Sequence, residues 1–158
     1  MHSAPPPITP DGILEGIRWR AVVLGTLVDI GLTLVAGIAL ILWFAGADAF
    51  SLDDEAANQT TDAALASPEF LFCSFLIGLA ATVYGGYFAA RRAGVFHVRH
   101  GGWVAVVSAA VGLVGLLLSS PAPGSQPPPW YDSLALVCML PAGLLGGFIA
   151  LRRGEPAA

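Results

Sequence analysis

Charge is what this sequence has least of. Charged side chains make up 11% of its 158 residues, against roughly a quarter in ordinary soluble domains. Lysine is absent, so all seven basic residues are arginines. With hydrophobic residues at 56%, this balance excludes a water-soluble enzyme, a nucleic-acid binder and a disordered chain. Seven basic against eleven acidic groups leave a net charge of −4, which gives no polyanion-binding surface. Cysteine is scarce too. Cys73 and Cys138 both fall in apolar runs, make no disulfide framework, and read as small packing residues. Gly-x-Ser-x-Gly, a Walker loop, His-Glu-x-x-His and Cys-x-x-Cys-His are all missing, so no catalytic group, cofactor or metal is expected.

What is present is four long uncharged stretches: 21–46, 70–90, 101–120 and 133–151. As helices they span roughly 28 to 39 Å, enough to cross a bilayer with some tilt. They do not alternate apolar with polar, which excludes a membrane β-barrel, and they have no polar face to meet water, which excludes a soluble helical core. The expected fold is all-α, with a transmembrane domain over 18–153, a disordered cytoplasmic tail over 1–17 containing four prolines, and a short tail over 154–158. The first stretch, preceded by arginines and followed by Ala47-Asp48-Ala49, resembles a signal peptide. At about 26 residues it is far longer than the roughly 7 to 15 of a signal's apolar region, so it is expected to stay as a span.

The arginines set an orientation. Arg18 and Arg20 precede the first stretch, Arg91, Arg92 and Arg99 lie between the second and third, and Arg152 and Arg153 follow the fourth. The connections 47–69 and 121–132 hold no basic residue but carry Asp48, Asp53, Asp54, Glu55, Asp62, Glu69 and Asp132. Basic residues stay on the cytoplasmic side, so both termini are expected inside a multi-pass protein. Trp19, Trp43, Trp103 and Trp130 fall near the expected membrane boundaries. The acidic connection Ser51 to Ala66 lacks EF-hand spacing and reads as a flexible solvated link; Asn58-Gln59-Thr60 within it is a glycosylation sequon. His97 and His100, flanking Arg99, form no metal signature and read as part of a solvated basic loop against lipid.

The two halves of the chain echo each other. Gly85-Gly86-Tyr87-Phe88-Ala89-Ala90-Arg91-Arg92 returns as Gly146-Gly147-Phe148-Ile149-Ala150-Leu151-Arg152-Arg153 at an offset of 61, and Trp19-Arg20-Ala21-Val22-Val23 matches Trp103-Val104-Ala105-Val106-Val107 at an offset of 84. This predicts two tandem helix hairpins in parallel, related by an axis along the membrane normal.

Lipid is as apolar as leucine, so the helices must associate through close packing and polar contacts. Small residues at helical spacing are expected to supply the packing: Gly25 and Gly37 in the first stretch, Gly78, Gly85 and Gly86 in the second, Gly101, Gly112 and Gly115 in the third, Gly146 and Gly147 in the fourth. Pro141 lies inside the fourth, where it removes one backbone donor and predicts a kink.

Asp29 is the one carboxylate inside a span, a placement costing about 2.5 to 3.5 kcal/mol on insertion scales. It lies about 13 Å beyond Arg20 at helical rise. Thr82 and Ser108 stand at matching distances from Arg91 and Arg99, with Tyr84 nearby, giving an expected polar layer of Asp29, Thr82, Tyr84 and Ser108. In the repeat Asp29 corresponds to Leu113, so the carboxylate is single. Three roles compete for it: packing to Thr33, Thr82 or Tyr84, contact with a basic or polar residue of a partner protein, and a proton- or cation-coupled transport site.

The Gly-Gly-aromatic-x-Ala-x-Arg-Arg helix ends at Gly85 to Arg92 and Gly146 to Arg153 resemble those of uncharacterised small four-helix inner-membrane proteins of bacteria. The resemblance spans nearly the whole chain and implies location in a bacterial inner membrane, with no activity to transfer. The chain is also similar to small multidrug-resistance transporters in its four spans and one carboxylate in the first, but it carries aspartate where they usually carry glutamate, is longer, and is internally repeated. The function expected is non-enzymatic: helix–helix association in the lipid bilayer, as a homo-oligomer or an accessory subunit of a larger membrane complex. The alternative is a small transporter or channel using Asp29.

Overall fold

The computed structural model describes residues 15–46, 54–118 and 127–154. The proline-rich stretch up to residue 14, the small-residue motif at 47–49 and the last four residues lie outside them. Among the described residues all regular structure is helical: α1 (Trp19–Ala45), α2 (Asp54–Leu65), α3 (Pro68–Ala93), α4 (His97–Leu118) and α5 (Pro129–Gly154). Of these, α1, α3, α4 and α5 are long and apolar enough to cross a membrane, with mean hydropathies of 2.3, 1.6, 2.1 and 2.3 over their most apolar windows. The protein is therefore compatible with an integral, multi-pass membrane protein. Its exposed side chains include Leu34, Val35, Ile38, Leu117, Leu118 and Val137, an exterior suited to hydrocarbon rather than water.

Helix ends follow local chemistry. The Ser67 hydroxyl accepts from the Phe70 amide at 3.3 Å, Pro68 occupies the first turn, and Glu69 complements the dipole there. At the other end of α3, Arg91 and Arg92 sit in the last turn before Gly94, which adopts φ +68° and closes the helix through Ala90. Both α3 and α5 begin earlier than expected, at Pro68 and Pro129, and α5 runs unbroken through Pro141.

Helix α2 corrects the expectation of a flexible link over Ser51 to Ala66. Ala56, Ala57, Ala63 and Ala64 are strong helix formers, Glu55 lies at the favourable N-terminal end, and Gln59 donates to Glu55 one turn back at 3.5 Å. Beneath it Phe44 and Phe70 meet edge to face, centroids 5.7 Å apart, and tie α1 to α3.

All four spans meet backbone to backbone at one end only; at the other, ring and hydroxyl contacts join α1 to α3 and α3 to α5. A Cβ on Gly25 would fall 2.6 Å from the Ala89 Cβ, and one on Gly143 would fall 2.6 Å from the Ala105 Cβ. Gly86 abuts the Gly143 carbonyl, Gly101 abuts Gly143 and Gly147, and Gly146 abuts Val83. These contacts bring α1, α3, α4 and α5 together backbone to backbone at the arginine-bearing end. Val22, Ala89 and Val104 form a fully buried cluster there, covered by Ile17, Trp103 and Val107. Beyond Asp29 in α1 no residue is buried until Ala45, and beyond Ser108 in α4 none is buried at all among the described residues.

Trp19 and Trp103, matched by the 84-residue offset, meet edge to face with centroids 5.3 Å apart. The close crossings do not repeat in the same way: α1 meets α3 at Gly25 and Gly85, whereas α4 meets α5 at Gly101 and Gly143, positions that the two offsets do not relate.

Candidate functional site

Asp29 lies where the closed part of the bundle ends. It is 3% exposed, Thr82 of α3 is 1% and Ser108 of α4 is 5%. Thr82 brings its hydroxyl within 3.2 and 3.4 Å of the two Asp29 carboxylate oxygens and within 3.1 Å of the Gly78 carbonyl. A hydroxyl has one hydrogen, so it serves one of these three acceptors at a time. Ser108 offers a second hydroxyl to the same carboxylate, outside ordinary hydrogen-bond geometry, and its Oγ is buried. Three of the four residues of the expected polar layer are thus brought together.

The fourth is not. Tyr84 is half exposed and its ring lies against Tyr87, centroids 6.3 Å apart. At about 100° per residue, a position two beyond Thr82 points to the opposite face of a helix. Thr33, the other expected partner, is exposed and makes no bond to Asp29.

Above the polar residues is a cavity of about 400 Å³. Asp29, Thr82 and Ser108 line it, with Thr33 and Leu34 of α1, Gly78 of α3, and Val111 and Gly112 of α4. On its α5 side Tyr131 bonds to Ser74 at 2.7 Å. The walls are otherwise apolar, so the carboxylate is the one acidic group facing this space.

Of the glycines expected to pack helices, Gly25, Gly85, Gly86, Gly101, Gly146 and Gly147 do so, each against backbone or Cβ atoms of a neighbour. At Gly37, Gly78, Gly112 and Gly115 a Cβ would meet nothing within 4 Å. All four lie in the open part of the bundle. Gly143, which was not among the glycines expected to pack, is a close contact for Gly101. Its four-residue spacing from Gly147 was the signal in the sequence.

The arginines gather at the closed end. Arg153 lies over the Tyr87 ring at 5.7 Å, Arg152 over Phe148 at 5.0 Å and Arg99 over Phe96 at 5.4 Å. Arg18, Arg20, Arg91, Arg92, Arg152 and Arg153 are exposed, while Arg99 is half-buried.

His100 departs furthest from expectation. It is fully buried, not part of a solvated loop. Its Nε2 accepts from the Arg18 backbone N–H at 2.9 Å, and its Nδ1 lies 3.1 Å from the Phe96 carbonyl. Nε2 is the acceptor, so the hydrogen sits on Nδ1 and is donated to Phe96. The ring joins the chain entering α1 to the first turn of α4. Gly16, at φ +76°, packs against the Phe96 ring in the same place. No motif announces this role.

Comparison of the chain with protein-family models, with curated proteins and with solved structures finds no match.

Proposed function

We propose that this is a non-enzymatic integral membrane protein that works by helix–helix association, as a homo-oligomer or as an accessory subunit of a larger membrane complex. The observation that carries this reading is the incompleteness of the bundle. Only 6% of the most apolar window of α1 is buried, against 28 to 33% in the other three spans, and Gly37 and Gly112 offer small-residue surface with nothing on it. A transmembrane helix laid between the open parts of α1 and α4 meets the surface that tight membrane packing uses. In this reading the protein lies in a bacterial inner membrane as two tandem parallel hairpins, with both termini and all seven arginines in the cytoplasm.

The test is cysteine crosslinking in native membranes. With Cys73 and Cys138 replaced by serine, single cysteines at Leu34 and Val111 give a reproducible adduct of defined mass, and Asp29→Asn leaves it intact. A protein that stays monomeric in lipid nanodiscs at all concentrations, with no adduct from either position, rules the reading out.

A second reading is favoured by the cavity that ends on Asp29: a small proton- or cation-coupled transporter or channel. It expects pH-dependent flux in proteoliposomes that Asp29→Asn abolishes while the fold persists. Flux indifferent to that substitution eliminates it.

A further inference from the structure

Tyr84 takes no part in the polar layer, and the face it shares with Tyr87 borders the seam between α3 and α5. Gly146 of α5 abuts the Val83 carbonyl and the Tyr87 amide, so Tyr87 stands at the edge of that contact. At about 100° per residue, Tyr84 and Arg91 lie within about 60° of Tyr87 around α3. All three are turned away from the Gly85 contact with α1. Tyr84 and Arg91 are exposed there, and the two tyrosine rings lie 6.3 Å apart. Arg153, one residue before the end of α5, reaches across the seam and lies over the Tyr87 ring at 5.7 Å. Arginines from two helices thus border one tyrosine.

Like charges brought together at a surface repel unless an anion lies between them. Neither α3 nor α5 carries an acid at this end among the described residues, since Glu69 and Asp132 are in their first turns, at the other end. The helix C-termini offer only partial negative charge.

We propose that Arg91 and Arg153, with Tyr84 and Tyr87 beside them, bind the headgroup of an anionic phospholipid. The phosphodiester lies between the two guanidiniums, whose planar forks each present paired N–H donors to phosphate oxygens. The acyl chains run along α3 over Ala80 and Leu76, which are exposed on the same side. The headgroup is anionic rather than zwitterionic, because a choline or ethanolamine ammonium would find two guanidiniums here and no acid on either helix. Basic sites between spans, at the level of the headgroups, recognise anionic lipid in this way.

The site needs the chain to lie in a bilayer but requires neither association nor transport. Native mass spectrometry of the intact protein tests it, after titration in detergent with phosphatidylglycerol or with phosphatidylcholine of the same acyl chains. One phosphatidylglycerol per chain is expected to stay bound where phosphatidylcholine is lost. A large excess of inorganic phosphate leaves it in place. Arg91→Gln and Arg153→Gln each weaken its retention at least about tenfold, the effect of losing one charge-assisted hydrogen bond. Arg92→Gln removes the same charge from the same helix end but lies about 100° round from Arg91, and it retains the lipid as the unaltered chain does. All three arginines are exposed, so the variants keep the bundle. Equal retention of the two lipids, displacement by inorganic phosphate, unchanged retention in Arg91→Gln and Arg153→Gln, or an equal loss in Arg92→Gln overturns the proposal.

Discussion

Gly25 and Gly85 face each other across α1 and α3 so closely that a Cβ on either would stand 2.7 Å from the other's carbonyl oxygen. Side-chain atoms do not approach backbone oxygens at that distance without something moving. This contact sets how near the two helices lie, and with it the position of Asp29, whose Cβ is 2.8 Å from the place a Gly85 Cβ would occupy.

Gly85→Ala is therefore expected to force α1 and α3 apart and lower stability by about 1 to 3 kcal/mol, the usual cost of overpacking a tight contact. Gly37→Ala, in open space, should leave it unchanged or raise it by up to about 1 kcal/mol, because alanine favours helix over glycine. Thermal denaturation of both variants in the same detergent checks the contrast. Equal losses would mean that the crossing lies elsewhere.

Thr82 brings its hydroxyl to Asp29. Thr82→Val keeps the shape and removes this bond, leaving Ser108 as the remaining hydroxyl beside the buried carboxyl, at a cost of about 1 to 3 kcal/mol. Thr82→Ser keeps the hydroxyl and should recover most of that. If both variants melt alike, the bond contributes nothing.

His100 links Arg18 to Phe96 through both ring nitrogens. His100→Leu leaves the Arg18 N–H without its acceptor, while the Phe96 carbonyl keeps the backbone N–H of residue 100, a loss of about 1 to 3 kcal/mol, concentrated where the chain enters α1. Hydrogen exchange at the Arg18 amide should accelerate in this variant while exchange in the middle of α3 stays slow. Unchanged protection at Arg18 would count against the bond.

The orientation is measurable. With Cys73 and Cys138 removed, single cysteines at Arg92 and Arg153 should resist a membrane-impermeant thiol reagent in intact cells, while one at Asn58 reacts. The reverse pattern would turn the protein over and leave the helix contacts as they are.

Four apolar spans and the clustering of arginines at alternate connections were legible in the residues alone, because the cost of placing a side chain in hydrocarbon is nearly additive along the chain and needs no knowledge of its neighbours. Helical spacing also brought Asp29, Thr82 and Ser108 to one depth. What a linear pattern does not contain is the direction in which each helix face turns and the point where two axes cross. Those put Tyr84 outside and Thr82 inside, made Gly101 and Gly143 contacts while leaving Gly37, Gly78 and Gly112 bare, and carried His100 from an apparently wet loop into the core. Helix α2 escaped notice for a different reason: its acids looked like solvation, while its alanines favoured about three turns of helix. Periodicity supplies the small residues, and only packing decides which of them touch.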